Sequence, residues 1–530
     1  MRHRRKARPV CKLGVKPHEE SQMNGRNRLW MIAGLLAASA GMLRAQPTPT
    51  IHVESRIVLL DIAATDAQGH AVLDLRPEEF HIYEKNVLQQ VRSFEPPSAH
   101  ALPADAAGKV LVNSTADLPK IGEAPITLLL LDELNMKFED EVYERDKLVE
   151  WLERQPAVLP QPTALMAVTY DKFEVVRDFT QSRDALVEIL KKHTGGVLWR
   201  SESNGRVGSQ ASENMAATLG ALEQVAQAMR GVPGRKNVIW VGNGFPSVNM
   251  SDVGRTSNDE IEATLRHLST VMLHARVTLS IIGGPLIDFH PAVIETQSDA
   301  DIMSAAGLDG LSITEGGVRF SGLAPPTGGK AYSNSNDILG ELTRSIDGGS
   351  QYYTLSYRPS DPSNNPKEYR RIRVEVTRPG VTVQTRDGYF EEAPAPDPTA
   401  KVPVQQLAFD LYGAANSTMT YTDLHVTAKR TGTEDFTLHA AAKDITWREL
   451  PDGRRHADLV ILAAAFSIRG KMIGKQFFTL GSNTEASLAG IAKASPELQV
   501  HFAPPLGTAR IRFVIRDMDG GRVGTADYTP

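Results

Sequence analysis

The chain has 530 residues, a formal net charge of −5, and a composition that is 41% hydrophobic and 23% charged. This length is too great for one ordinary hydrophobic core, so we expect about three domains. The composition is typical of a globular protein, and the nearly neutral charge excludes the strongly basic surface of a nucleic-acid-binding protein.

The N-terminus has the pattern of an export signal. Two arginines precede an apolar run from Leu29 to Leu43, and the small residue Ala45 follows it. This predicts a signal peptide over residues 1–45 and an exported protein, located in the periplasm, on the cell surface or outside the cell. An uncleaved anchor is the alternative, but the run is shorter than the roughly 20 residues that span a bilayer, so we expect no membrane span in the mature chain. Met23 is an alternative start.

Cysteine usage supports the same compartment. The only cysteine, Cys11, lies within the predicted leader, so the mature chain would have none. This excludes disulfides, thiol catalysis and thiolate zinc sites, and it favours a bacterial envelope over a disulfide-stabilised eukaryotic module.

Residues 46–95 alternate between apolar and polar side chains, as strands with one buried face do. Val53, Ile57 and Leu59 are examples of this alternation. We therefore predict a small antiparallel β module at 46–95. Residues 96–124 are rich in proline, alanine and small polar residues, which indicates a linker.

From residue 125, apolar strands alternate with helical segments. This alternation predicts a doubly wound, mostly parallel, Rossmann-like sheet with helices on both faces over residues 125–360. The predicted strands are 125–131, 164–170, 175–179, 237–241, 277–282 and 352–357. The predicted helices are 138–155, 182–193, 212–230, 258–275 and 336–346, and Ser182 is a candidate N-cap. Residues 287–330 have little periodicity and predict a long loop.

Further β structure is predicted after this sheet. Residues 361–390 contain strand patterns on both sides of Arg378-Pro379-Gly380, which indicates a hairpin that could pair with the strands of 46–95. Residues 391–400 are proline-rich and predict a stiff linker. Residues 401–530 show recurrent short strands and almost no helical pattern, so we expect a C-terminal β-sandwich. The predicted fold class is therefore α/β plus all-β.

Several motifs stand in a fixed order along the chain. They read Leu-Leu-Leu-Asp-Glu-Leu-Asn at 129–135, Gly-Arg-Lys-Asn-Val-Ile-Trp at 234–240, Tyr-Tyr-Thr-Leu-Ser-Tyr at 352–357, Arg-Pro-Gly-Val at 378–381 and Arg-Asp-Gly-Tyr at 386–389. Together they resemble the von Willebrand factor A (VWFA)-related proteins of the acidobacterial type, over about residues 50–390. The resemblance implies a VWFA domain within 125–360 and a role in binding, and it implies no reaction.

VWFA domains often carry a metal-ion-dependent adhesion site, in which an Asp-x-Ser-x-Ser loop and two further loops hold Mg²⁺ through oxygen ligands. Here Asp132 fills the first position, but Leu134 and Met136 stand where the two hydroxyls belong. The loop after strand 237–241 reads Gly-Asn-Gly without the expected aspartate, and a serine at 209 or 212 is the nearest candidate for the middle loop. The resemblance therefore implies a degenerate site without metal or cofactor, in which Asp132 caps the following segment or accepts backbone hydrogen bonds. Mg²⁺ at Asp132 is the alternative.

Other motifs favour structural roles. The segment Gly242-Asn243-Gly244-Phe245-Pro246-Ser247 lacks the third glycine of a nucleotide-binding loop, so a tight turn is favoured. Four carboxylates are expected to form a solvated helix face: Glu139, Asp140, Glu141 and Glu144. His267 and His274 lack a third metal ligand and are expected to be structural. No nucleophile elbow, Walker loop or His-Glu-x-x-His helix occurs, so we predict that the protein is not an enzyme.

These observations lead to three hypotheses. The first is an exported bacterial binding or adhesion protein that contacts an unidentified protein partner through Asp132, Glu133, Asn135 and Asn243, at the carboxyl ends of the sheet strands. The second is an envelope scaffold in which the β modules make the contacts. The third is a hydrolase that uses Asp132 with residues 287–330 as a lid, and no motif supports it. The oligomeric state stays open.

Overall fold

A computed structural model describes residues 57–103, 109–169, 173–193, 207–245, 255–284, 318–332, 336–361, 365, 367–391, 402, 404–450, 452–484 and 497–530. The predicted signal peptide, nearly all of the linker at 391–400, and residues 246–247 and 287–317 lie outside these ranges. Within them, no helix combines the length and the apolar character that a membrane crossing requires.

The described residues form 22 strands and six α-helices. The strands are β1 (Val58–Thr65), β2 (Phe80–Glu84), β3 (Val87–Gln89), β4 (Val91–Glu95), β5 (Ile126–Asp132), β6 (Val158–Val168), β7 (Phe173–Ser182), β8 (Lys236–Val241), β9 (Val277–Ile282), β10 (Ala331–Tyr332), β11 (Tyr353–Tyr357), β12 (Tyr369–Val376), β13 (Thr382–Gln384), β14 (Gly388–Phe390), β15 (Val426–Arg430), β16 (Asp435–Ala440), β17 (Arg448–Glu449), β18 (Arg455–Phe466), β19 (Met472–Thr484), β20 (Glu497–His501), β21 (Arg510–Asp517) and β22 (Val523–Tyr528). The helices are α1 (Phe138–Glu153), α2 (Arg183–Lys192), α3 (Val207–Met229), α4 (Arg255–His274), α5 (Ile338–Ser350) and α6 (Val404–Asn416).

The central sheet has the strand order β10-β9-β8-β5-β6-β7, in which β7 alone runs antiparallel to its neighbour. Strand β5 is apolar on both faces because helices cover both. Leu128 and Leu130 pack on the side of α3 and α4, whereas Leu129 and Leu131 pack on the side of α1, α2 and α5. Ser182 caps α2 by accepting a 3.3 Å hydrogen bond from the Ala185 amide. The prediction of an α/β sheet accompanied by separate β structure is confirmed.

Two antiparallel four-stranded sheets enclose a second core beside this unit. Their strand orders are β13-β1-β11-β4 and β14-β12-β2-β3, so each combines strands from before and after the α/β region. The assignment of residues 352–357 to the α/β unit is wrong, because β11 pairs antiparallel with β1, with Leu355 opposite Leu60. The segments on either side of the Arg378-Pro379-Gly380 turn pair with strands of 46–95, as the alternative allowed, but they do not pair with each other, so the predicted hairpin is wrong. Strand β13 pairs with β1 and β12 pairs with β2, so the chain changes sheets at the Arg378-Pro379-Gly380 turn.

The described parts of the predicted linker, residues 96–103 and 109–124, are packed rather than free. Val112, Leu118 and Ile121 are buried in the core beneath α3. The Gln181 side chain accepts hydrogen bonds from the amides of Leu111 (2.9 Å) and Val112 (3.2 Å). The sequence did not indicate these apolar contacts, because the segment is rich in proline, alanine and small polar residues.

The C-terminal region contains a three-stranded sheet, β15-β16-β20, and a sheet β17-β18-β21-β22 with β19 added on β18, and apolar side chains of both form one core. The expectation of almost no helix there is wrong, because α6 packs against β21. The buried apolar residues described in this helix, Leu411, Ala414 and Ala415, have helical spacing. A buried ion pair fixes the helix, with Arg516 Nε 2.7 Å from Asp410 Oδ2.

Candidate functional site

The candidate site lies where β5, β8 and β9 end, at the carboxyl edge of the central sheet. Asp132 is the last residue of β5, Gly242 to Gly244 follow β8, and Gly283 and Gly284 follow β9. In open α/β sheets this edge is the usual place for ligand contacts.

Asp132 is completely buried, and each of its carboxylate oxygens accepts two N–H groups. Oδ1 accepts from the backbone amide of Asn135 (3.0 Å) and from its side-chain Nδ2 (2.9 Å). Oδ2 accepts from Trp240 Nε1 (3.1 Å) and from the Gly244 amide (2.9 Å). Burial raises the pKa of Asp132 to about 6, although these four donors favour the charged form. The carboxylate therefore acts as an internal acceptor that ties two loops to the sheet.

The glycines of the Gly-Asn-Gly loop are required by close approach. Gly242 has φ +136° and Gly244 has φ +70°, which are conformations that side-chain-bearing residues rarely adopt. A Cβ atom at Gly242 would overlap the Asp132 side chain, and one at Gly244 would overlap the Phe320 ring. The tight-turn interpretation therefore explains these glycines without a nucleotide.

This requirement gives a stability prediction. Gly244→Ala should lower the free energy of unfolding by about 2–3 kcal/mol, because it adds both left-handed strain and a clash with Phe320. The matched control is Gly453→Ala, where φ is +81° but no atom lies within 4 Å of the added Cβ. We expect the control to cost only about 1–2 kcal/mol. Denaturant titration of both variants measures the difference, and equal losses would show that the Phe320 contact is unimportant.

The structure brings only some of the predicted contact residues together. Asn135 is bound directly to Asp132 and also donates through Nδ2 to Thr218 Oγ1 (3.2 Å). Asn243 is half-buried, and its side chain lies against the backbone of Gly283. Glu133 instead contacts His193 Nε2 at 2.5 Å, and its side chain is only 2% exposed. This contact raises the pKa of His193.

Positions 134 and 136, where an adhesion site would have hydroxyl side chains, have apolar surroundings or are partly buried in the structure. Leu134 packs against the core cluster that includes α3, and Met136 is half-buried. Ser209 and Ser212 belong to helix α3, so neither is placed on a loop.

Two acidic residues that sequence reasoning assigned to solvent belong to the site. Asp140 is 7% exposed and Glu144 is 1% exposed, so the solvated-face interpretation is wrong for both. Glu144 Oε1 accepts a 2.7 Å hydrogen bond from the Gly284 amide. Burial, with smaller contributions from the charges of Asp132 and Asp140, raises the pKa of Glu144 to about 8. Asp140, Glu144 and Leu148 follow one another at intervals of four residues, so they lie on one face of α1. The apolar Leu148 was the signal in the sequence that this face is buried.

The two histidines of α4 lie seven residues apart on the helix. His267 Nε2 lies 3.0 Å from Glu223 Oε1, and this contact joins α4 to α3. His274 is the last residue of α4, two helical turns away. A shared metal site is not formed by this pair among the described residues.

One group of potential metal ligands lies elsewhere. Glu95, His100 and Glu123 place ligand atoms within 4.8 Å of one another. However, His100 Nε2 lies 3.1 Å from the Thr354 hydroxyl, and that hydroxyl donates to Asp61. The Arg276 guanidinium lies 3.8 Å from Glu123 and also pairs with Asp61. An adjacent cation and an occupied imidazole nitrogen disfavour a metal ion there.

No protein-family model matches the chain, and no curated protein matches it either. Among solved structures, proximal thread matrix protein 1 from the mussel byssus is 11% identical with a TM-score of 0.25, and the match covers 45% of this chain and 49% of that one. The chain thus spans about half the length of the mussel protein. The SpRpn10 VWA domain is 12% identical (TM-score 0.20, covering 41% and 93%). Human COPII-coat protein Sec24c is 10% identical (TM-score 0.25, covering 52% and 44%). These weak likenesses assign no function.

Proposed function

We propose that the protein is an exported bacterial binding or adhesion protein without catalytic activity, built around a VWFA-like domain of the acidobacterial type with a degenerate metal-ion-dependent adhesion site. The observation that carries this proposal is the environment of Asp132. Its two oxygens already accept four N–H groups, so they are not free to hold a cation that reaches a partner's carboxylate.

The chemistry of the accessible edge supports a contact made without a cation. Phe138, at the start of α1, is 54% exposed, and the half-buried side chains of Leu134 and Met136 precede it in the chain. Large exposed apolar side chains often act as anchors in protein–protein interfaces. Asn243 adds a polar group at the end of β8. We therefore expect a partner with an apolar contact group rather than a metal-bound carboxylate.

Phe138→Ser tests the contact surface. Wild-type and variant mature chains are immobilised and incubated with envelope extract. Because the variant lacks the apolar anchor, we expect it to capture about tenfold less partner than wild type, or still less. Ile468→Ser is the matched control, since Ile468 is 88% exposed in the C-terminal region and lies outside the site. Equal capture by wild type and Phe138→Ser would contradict the proposed surface. Cell fractionation tests export separately, and a cytoplasmic location would contradict it.

The scaffold hypothesis predicts the opposite mutational pattern. Val87 and Leu88 on β3 are 52% and 56% exposed, which favours this hypothesis as the second candidate. Capture that is lost in Leu88→Ser but kept in Phe138→Ser would assign the contact to the N-terminal β sheets.

A further inference from the structure

Three carboxylates are buried around the start of α1. Asp132, Asp140 and Glu144 are 0%, 7% and 1% exposed. Asp132 is satisfied by its N–H donors, but Asp140 Oδ1 and Glu144 Oε2 have no hydrogen-bond partner. Buried charged groups are normally paired or bound to a metal, because the loss of hydration is otherwise not compensated. Two basic groups of this region pair with other carboxylates, Arg145 with Glu141 and His193 with Glu133.

A third unpartnered oxygen comes from the loop after β5. The Asn135 side chain donates through Nδ2 to Asp132 and to Thr218, which fixes the orientation of its amide. Its Oδ1 atom is buried and accepts no hydrogen bond. Asn135 is hydrogen-bonded to Asp132, and α1 begins three residues after Asn135, so the three oxygens belong to the β5–α1 loop and the first two turns of α1. Asp140 and Glu144 are also neighbours on one helix face, about 5–6 Å apart at Cβ.

We propose that Asn135 Oδ1, Asp140 Oδ1 and Glu144 Oε2 bind a divalent cation that prefers oxygen ligands, either Mg²⁺ or Ca²⁺. Two carboxylates balance the charge of such an ion, and an amide oxygen with water molecules completes the kind of ligand set that both ions accept. The ligands differ from the adhesion-site positions Asp132, Leu134 and Met136.

The proposed site has a structural role rather than a partner-binding one. All three oxygens are buried, so a partner's carboxylate has no direct access to the ion. Glu144 also accepts the Gly284 amide, so the ion would connect the loop after β5, the first turns of α1 and the end of β9. This inference is independent of the proposed partner contact at Phe138.

A proton is the competing explanation. Glu144 could hold a proton on Oε2 and donate it to Asp140 Oδ1, which would satisfy both atoms without any ion. The two explanations differ in whether Mg²⁺ or Ca²⁺ binds at all.

Calorimetry on the mature chain, stripped with EDTA and dialysed free of it, tests the site with Mg²⁺, Mn²⁺ and Ca²⁺ added separately. We expect one ion per chain, with affinity at least about tenfold lower in Asp140→Asn and in Glu144→Gln. Glu139→Gln is the matched control, because Glu139 is exposed on the same turn of α1. Thermal unfolding in EDTA shows whether each variant is folded, and the ion should raise the melting temperature only of wild type and Glu139→Gln. Absence of binding to wild type, or unchanged binding in both site variants, would overturn the proposal.

The same variants keep this inference separate from the proposed function. Partner capture by folded Glu144→Gln in the presence of EDTA should match that of wild type, because the contact at Phe138 needs no cation. If capture required Mg²⁺ in both proteins, the cation-free contact would be wrong while the buried site could still be measured by calorimetry.

Discussion

The Glu84→Ala variant is expected to lose about 3–5 kcal/mol of unfolding free energy, because it removes a carboxylate that three buried side chains share as a hydrogen-bond acceptor. The Glu84 side chain is 1% exposed and pairs with Arg370, which is also 1% exposed. It accepts hydrogen bonds from Arg370 Nε (2.6 Å), Tyr357 Oη (2.5 Å) and Tyr389 Oη (3.0 Å). Without the carboxylate, two hydroxyls lose an acceptor, and among the described residues the guanidinium keeps Glu391 at 3.2 Å and a backbone carbonyl.

The neighbouring residue provides the control for this prediction. Lys85 is 39% exposed, and it pairs with Glu368 and lies 3.7 Å from Asp361. Lys85→Ala should cost no more than about 1 kcal/mol, since solvent screens exposed ion pairs. Urea titration followed by circular dichroism measures both variants. A Glu84→Ala loss as small as that of Lys85→Ala would show that the buried network contributes little to stability.

Local patterns in the sequence were enough to predict the α/β sheet. Strand β5 contains a run of four leucines because both its faces are covered, and β8 and β9 are likewise buried along their whole length and mostly apolar. Ser182 was identifiable as an N-cap because its hydrogen bond reaches only three residues along the chain. Features that depend on residues close together in the sequence can be predicted in this way.

Strand pairing over long separations was not predictable by the same means. β11 has a strand pattern, but the pattern does not indicate that its partner is β1, almost 300 residues earlier. The turn at Arg378 reads as a hairpin because the adjacent strands are close in sequence. The Arg378 guanidinium instead binds Asp74 and Glu79, which helps to hold the turn where the chain changes sheets.

The candidate site shows the same limit. The sequence alone shows that Leu134 and Met136 cannot supply hydroxyl ligands, because this depends only on their residue types. The donors that occupy Asp132 Oδ2 come from Trp240 and Gly244, more than 100 residues away. The acidic run at the start of α1 was assigned to solvent because charged residues are rarely buried, and that general rule fails for Asp140 and Glu144.

Glu144→Gln should stabilise the protein above neutral pH and flatten its dependence on pH. The folded protein raises the pKa of Glu144 from 4.5 to about 8, so the native state holds this proton over a range in which the unfolded chain has released it. The unfolded chain binds fewer protons in that range, so wild-type stability must fall as pH rises from about 4.5 to 8. Glutamine carries no charge and avoids this loss. We expect the variant to be more stable by about 2–4 kcal/mol at pH 8.5 and nearly equal to wild type at pH 4.5.

The difference between the two stability curves isolates Glu144 from other titrating groups. Asp132 also has a raised pKa, about 6, so both proteins should lose stability between about pH 4 and 6. His193, whose pKa is raised by its contact with Glu133, and Lys236, whose pKa is lowered by burial to about 7, are present in both proteins, so their contributions cancel to first order. Unfolding by urea at half-unit pH steps, with EDTA to exclude divalent ions, gives the two curves. If they stay parallel between pH 6 and 8, Glu144 is already ionised at neutral pH and a compensating group must lie beside it. If they diverge, the buried carboxyl holds a proton that a bound divalent cation would have to displace.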